Sequence, residues 1–462
     1  MTMQMGSKTN SKPGQDRISG LPDEILCHIL SFTSTVDAVK ASVLSRRWEN
    51  MWLRVPTLYL SDDDFRSDER EFDPERFVAF VDRALFLRGS SSIHRISIRC
   101  SDTENYPHLD EWICSAIRGN VVELELDLHE SDFRYEPLEL PRSLFMSRSL
   151  VVLKLTLEEN YVAIPPSSDC FPCLKLLDVS VFYPDPATME SLFTCGPVLE
   201  HLIIEGYLGE DQYLNFNIFA PKLKRLELRF DPCDEVDSVS NILFNINAPK
   251  LERLDLNENF LASYCLSENA LSEANISFSD LHSEDIQFIT GSVDHIQKLF
   301  EGILNVKHLS LQAPFLGDPD TESRCNLPKL NNLKHLELQL ENCCSWQLLT
   351  RLLTISPNLE YLVLEINIQC CEYPNEDGWS PPKLVPICLV SCLKNLFIRG
   401  FKGEPDDIEV AKYLMKHGEV LNNVTIYSCD VPAEDMLKVS QEISMFPKGS
   451  NTCQVEFPKI DM

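Results

Sequence analysis

One short pattern recurs through most of the chain: an aliphatic residue, a second three positions on and a third two further. It starts at Ile93 (IHRISI), Val121, Leu150, Leu174, Leu199, Leu223 and Leu251, and again at Val306, Leu333, Leu359, Leu393 and Leu421. Successive starts lie 24 to 29 residues apart in the first group and 26 to 34 in the second. The 55 residues between Leu251 and Val306 leave room for one degenerate unit, and EANISF from Glu273 is the candidate. Within a unit polar and apolar residues alternate, as where Leu226 and Leu228 sit between Arg225, Glu227 and Arg229. Period two predicts a short strand with one buried face. One such strand cannot cover its own apolar side, whereas many stacked side by side build a continuous core. The expected class is α/β, a repeat solenoid with a curved parallel sheet, occupying residues 91–375 and running on into 376–462.

A different period governs the ends. In GLPDEILCHILSFTSTVDAVKASVLSRRWENMW, Pro22 suits a first helical position and Asp23 and Glu24 suit the positive first turn. Ile25 with Ile29, and Leu26 with Leu30, fall at i,i+4 and predict one apolar stripe. A second helix is expected near Asp37, carrying Val39, Val43 and Leu44, and a third carrying Trp48, Met51 and Trp52. Three short helices bury too little surface to stand alone, which implies completion by a partner. Residues 60–77 are strongly charged and read as a solvated connector, and FVAFVDRALFLRG from Phe77 reads as a helix that caps the solenoid core or, alternatively, forms an interface with the helical module. Near the C-terminus, CLKNLFIRGF reads as a strand. Pro405, Asp406 and Asp407 start a helix with Ile408, Ala411, Leu414 and Met415 inside, Gly418 stops it, and VLNNVTIYS is a second strand. The expected organisation is 1–14 disordered, 15–55 helical module, 56–90 connector and cap helix, then repeats.

Charge and composition narrow the function classes. The 462 residues carry 71 acids against 41 bases, a net charge of −30. Such a chain repels polyphosphate, so no nucleic-acid partner is expected. No run approaches the roughly 18 apolar residues of a membrane helix, and the polar start lacks a signal-peptide core. A cytoplasmic or nuclear chain with reduced thiols follows, and the sequons at Asn275 and Asn423 are read as chance. Cys170 and Cys173 form a lone C-x-x-C, while Cys343-Cys344 and Cys370-Cys371 are poor geometry for one tetrahedral ion; no metal and no cofactor are expected. The histidines His201, His308 and His335 fall at outward strand positions and read as solvated. No nucleophile elbow, phosphate loop or zincin motif occurs, so no catalytic residues are assigned.

Against that background, Leu21-Pro22, Ile25-Leu26, Ile29-Leu30-Ser31, Asp37, Ala38 and Ser42-Val43-Leu44-Ser45-Arg46-Arg47-Trp48 resemble the F-box over about residues 15 to 55. The strand pattern resembles the irregular leucine-rich repeats of plant proteins. The asparagine of that repeat is present at Asn259 and Asn367, and Cys429 can replace it. Val385-Pro386, Cys388-Leu389, Cys392-Leu393, Arg399-Gly400-Phe401, Gly403, Ala411, Leu414 and Leu421 resemble the FBD region of plant F-box proteins, from which Phe397 departs. Two closing repeats that cap the solenoid are compatible with that match. The resemblance implies a substrate-recognition subunit of an SCF-type cullin ubiquitin ligase, non-catalytic itself, that docks on a Skp-type adaptor. Leu21, Pro22, Ile25, Leu26, Ile29, Leu30, Val43, Leu44 and Trp48 would supply adaptor contacts or the small core beneath them.

Outward strand residues would then meet a target protein: Glu123, Glu125, Asp127, Lys154, Asp178, Arg225, Glu227, Arg229, Asp255, Glu337, Tyr361 and Arg399. The acidic group 123–127 hints at a basic target patch. The rival readings are a repeat scaffold without a ligase role and a secreted receptor-like repeat protein, the latter disfavoured by the missing signal and membrane segments.

Overall fold

Alternating positions become strands wherever the leucine pattern starts, and the same burial repeats in each: outward residues half-open, inward leucines sealed. The computed structural model describes residues 18, 20–66, 73–89, 93–101, 106–129, 138–157, 161–162, 170–182, 186–194, 196–208, 214–232, 242–258, 262–267, 269–278, 286–317, 325–341, 345–367, 379–428 and 433–458. They fall into two units, 1–135 with 140–156 and 136–139 with 157–462. Asn259, Cys429, Cys343-Cys344, Cys370-Cys371 and the N-terminal 1–14 lie outside the described residues.

The first unit opens with helix α1 (Asp23–Leu30), whose N-cap is Pro22, one position earlier than its sequence signature suggests. Helix α2 (Thr35–Lys40) starts two residues before Asp37 because the Ser34 hydroxyl accepts the Asp37 N–H at 3.2 Å. The expected third helix is a chain of tight turns, Ser45 to Trp48 to Met51 to Arg54, closed by i to i+3 bonds and ending in the 3-10 turn Trp52–Arg54. Leu26, Leu30, Ala38, Trp48, Met51, Trp52 and Val55 form one core.

The charged connector is not solvated throughout. Thr57–Ser61 is a strand, β1, paired in parallel with β2 (Arg95–Cys100), which pairs with β3 (Glu123–Leu128). Val55, Leu58 and Leu60 repeat the leucine spacing, so the repeats begin one unit earlier than Ile93. Asp62, directly after β1, is fully buried: its carboxylate accepts the Ser101 N–H, the Ser101 hydroxyl and the Tyr106 hydroxyl, each at 2.8 Å. Three donors offset the desolvation of one buried charge.

Helix α3 (Pro74–Arg88) turns Phe77, Val81, Ala84 and Arg88 inward. Phe77 meets Tyr106 and Trp112 edge-on, and Ala84 joins the core of the helical module. Arg88 donates to the Trp52 carbonyl at 3.0 Å, the Thr57 hydroxyl donates to the Ser31 carbonyl, and the Tyr59 N–H donates to the Thr35 hydroxyl. Part of the cover expected from a partner is therefore supplied by the chain's own cap helix and first strand.

In the second unit eleven described strands pair in parallel and in chain order: Leu176–Phe182, His201–Leu208, Arg225–Pro232, Arg253–Glu258, Glu273–Ser277, His308–Gln312, His335–Leu340, Tyr361–Ile366, Asn395–Phe401, Asn423–Ser428 and Gln454–Glu456. Register is kept by leucine-on-leucine stacking, as in Leu202, Leu226 and Leu254. The degenerate unit is real: Ala274 and Ile276 take the leucine places beneath Glu273 and Asn275. Gly206 and Gly400 sit at φ 148° and 74°, and a Cβ at either would collide with the carbonyl of the neighbouring strand, Val181 or Ile366.

A second parallel sheet, Leu214–Phe219, Ile242–Asn247 and Ser263–Leu266, was not foreseen. Its Phe216, Phe244 and Tyr264 rings stack at centroid spacings of 5.0 and 5.3 Å. Toward the C-terminus, helix Pro405–His417 buries Asp407, Val410, Ala411, Leu414 and Met415; Ile408, expected inside, is only half-buried, and Val410 takes its place.

Candidate functional site

The helical module has two apolar sides. Leu26, Leu30 and Trp48 are buried in its own core, which places them in the second of the two roles the resemblance leaves open. The paired rows of α1 do not form one stripe: Ile25 and Ile29 remain 45% and 41% exposed, beside Phe32 at 77%, Val43 at 85% and Leu44 at 69%. Pro22 is exposed and Leu21 packs half-buried against the core.

The base beneath this face is tied by charge. Arg47 and Arg54 both donate to Asp23, at 2.7 and 2.6 Å, and Arg47 also donates to the Leu21 carbonyl. These guanidinium bonds hold the Asp23 carboxyl below its ordinary range. Half of the basic pair Arg46-Arg47 is thus internal scaffolding.

The repeat face is polar, and most of its charges are already matched. Glu123 and Glu125 both face Arg95, at 3.4 and 2.8 Å, and Asp127 faces Arg99 and His129. The acidic group 123–127 is therefore partly matched within its own unit, its three carboxylates sharing two arginines, one of which also faces Asp63. Lys154 and Asp178 are half-buried on their strands.

In the second unit Glu227, buried although it points outward, gathers Arg225 at 2.8 Å, Arg229 at 2.6 Å and His201 at 2.9 Å. Asp255 takes Arg253 and Arg225. Glu337 lies 3.5 Å from Arg399, whose shorter bond, 2.8 Å, goes to Glu365. Tyr361 stacks on His335, and His335 stands beside His308, with centroids 5.6 Å apart at each step. Those rings share one row, so two histidines read as solvated are two of the three members of an aromatic column. The signal that could have found it is their common place, two residues after the first aliphatic of three successive units.

Cys170 is buried and Cys173 partly so, and neither is in a disulfide. Among the described residues no three His, Cys, Asp or Glu side chains come together as a metal-binding group, and no helix is long and apolar enough to cross a membrane.

Three family models match in chain order: the F-box domain over residues 18–59, the leucine-rich repeats of the FBD-associated F-box protein At5g56370 over 109–275, and the FBD over 381–426. The FBD-associated F-box protein At4g10400 of Arabidopsis thaliana is 30% identical over 447 residues, 96% of this chain and 100% of that protein. The F-box/FBD/LRR-repeat protein At3g51530 of the same plant is 30% identical over 472 residues, covering 98% and 96%. The chain belongs to the FBD-associated F-box family.

An F-box protein of this kind is a substrate-adaptor type of protein, and an F-box implies a Skp-type adaptor as partner. The F-box match spans α1, α2, the turns after them and the start of β1. Repeat strands lie outside the leucine-rich-repeat match on both sides, β1 and β2 before it in the first unit and those up to Asn423–Ser428 after it in the second. The FBD match covers the strands Asn395–Phe401 and most of Asn423–Ser428 with the helix between them, all in register with the preceding units, so the FBD is built as a continuation of the repeats.

Proposed function

We propose that the chain is the substrate-recognition subunit of an SCF-type cullin ubiquitin ligase acting in the cytosol or nucleus. The F-box holds a Skp-type adaptor, and through it a cullin, while the outward strand residues hold a target protein. The observation that carries this reading is that the aliphatic side chains Ile25, Ile29, Val43 and Leu44 stay exposed on a module tied by the Asp23 ion pairs. Burying one such side chain is worth about 1.5–3 kcal/mol, so four of them supply the driving force of a stable interface.

The chain contributes no chemistry of its own in this reading. Ubiquitin transfer belongs to other subunits, and the chain raises the local concentration of the target and orients it. The bonds that tie the F-box to α3 and β1 favour that role, because a fixed base transmits orientation.

Size-exclusion chromatography of the full-length chain with a purified Skp-type adaptor and a cullin tests the proposal. Co-migration of all three is the expected result. Failure to co-migrate with any adaptor variant would leave the chain a repeat scaffold without a ligase role.

A further inference from the structure

Charge matching along the repeat face of the second unit is uneven. From His201 to Asp255 basic and acidic groups interlock around Glu227 and Asp255. Past Arg253 the described strands carry small residues, Asn275 and Ser310, at the middle outward position, and rings at His308, His335 and Tyr361. The small residues leave a recess of about 280 Å³, rimmed by Glu273, His308, His335 and Glu337. That is below the roughly 300–1,000 Å³ of small-molecule pockets and is closer to the size of one long side chain.

Its electrostatics favour a cation. The carboxylates of Glu273 and Glu337 face it, and the one basic side chain at the rim, Arg253, is bonded to both Asp255 and Glu273 at 2.7–2.8 Å. Arg399, the basic partner of Glu337, stands at 3.5 Å and prefers Glu365. Burial and the neighbouring His308 push His335 below its ordinary value, which favours its uncharged form. Flat rings next to carboxylates are good surroundings for a guanidinium or ammonium group.

We propose that the recess between Glu273 and Glu337, walled by His308 and His335, is the pocket that receives a basic side chain, arginine above all, from the target protein. The inference rests on the target-receptor reading and deepens it. A guanidinium lying on the Ser310–Asn275 floor stacks on the imidazole wall and donates to the carboxylates on either side. An acidic target side chain meets two carboxylates and no free cation at the rim.

Selection of random phage-displayed dodecapeptides on the full-length chain bound to its adaptor, or alone if no adaptor binds, tests this. Peptides selected on the native chain and depleted on a His335→Ala/Tyr361→Ala variant should share an arginine or lysine at one position. Their affinity should fall at least tenfold with Glu273→Gln/Glu337→Gln. It should stay within twofold with Glu200→Gln/Glu360→Gln, which removes the same charge elsewhere. Equal losses with the two charge variants, enrichment of acidic or purely apolar peptides, or no peptide that depends on the ring column would overturn the proposal. All variants change outward residues, and an unchanged melting temperature confirms folding. Adaptor binding is measured on the same samples, so failure of the pocket and failure of the ligase reading give different results.

Discussion

The outer face of the F-box and the outward face of the repeats hold side chains of opposite kinds, and they are kept available in opposite ways. On the F-box, Ile25, Ile29, Val43 and Leu44 stand in water with no polar duty, while an ion-paired base around Asp23 keeps their backbone in place. On the repeats the outward residues are charged, and most of the charge is spent on neighbours on the same strand or one strand away. Exposed aliphatics on a firm base mark a surface that gains by burial. Interlocked charges mark a surface that is mostly finished, with function left to the gaps where matching fails.

The sharpest break of this comparison separates the two sides of α1. Leu26→Ala should cost about 2–5 kcal/mol of the stability of the first unit, as a buried leucine does, whereas Ile25→Ala should leave the urea midpoint nearly unmoved. Equal costs would mean that both rows are core.

The buried acid Glu258 comes next. It is sealed against Tyr264, its hydroxyl partner, and burial pushes its carboxyl up to about 8. The folded state therefore keeps a proton that the unfolded chain loses near its ordinary value of 4.5. Stability should be fully present below that value, fall as pH rises from there to about 8, and level off above. Glu258→Gln should flatten this fall in thermal melts taken across the range; an unchanged slope would place the proton elsewhere.

Glu227→Gln should have a smaller effect, about 1–3 kcal/mol in chemical denaturation, because Arg225, Arg229 and His201 all lose their shared anion. Arg399→Ala should be smallest, no more than about 1 kcal/mol, since the side chain is half-exposed and its pairs are screened by water. If Arg399 proved the costlier of the two, the distinction between the locked and open stretches of the repeat face would fail.

The repeats were legible because period two leaves a local mark: each unit states its own buried face, and stacking copies it. Helix α1 of the F-box was legible from i,i+4 spacing, whereas α2 stops at Lys40 and Val43 and Leu44, expected on it, lie in and just after the 3-10 turn Ala41–Val43. Which aliphatic row of α1 faces inward was not, because Ile25 and Leu26 are chemically alike and the choice is made by Trp48, Met51 and Ala84 arriving from elsewhere in the chain. β1 was hidden by Pro56 and the acids that follow it, one of which turned out to be a buried ligand of three donors.

The second sheet repeats the same alternation in NFNIF and LFNIN, but without leucines at the expected spacing. The charged candidates were rightly placed on the outward face, but their availability depends on partners in neighbouring strands, some 20 to 30 residues distant, that no local pattern reveals. Rings at His308, His335 and Tyr361 look solvated one at a time and form a column only when the register is known.

The claim on which the account turns is that the outer aliphatic face of the F-box, rather than its core, engages the adaptor. Calorimetric titration of a purified Skp-type adaptor into the full-length chain measures it directly. The account predicts saturable binding that falls by roughly 100-fold or more in Ile25→Glu/Leu44→Glu, with the melting temperature of the chain unchanged. Undiminished affinity in that folded variant would contradict it.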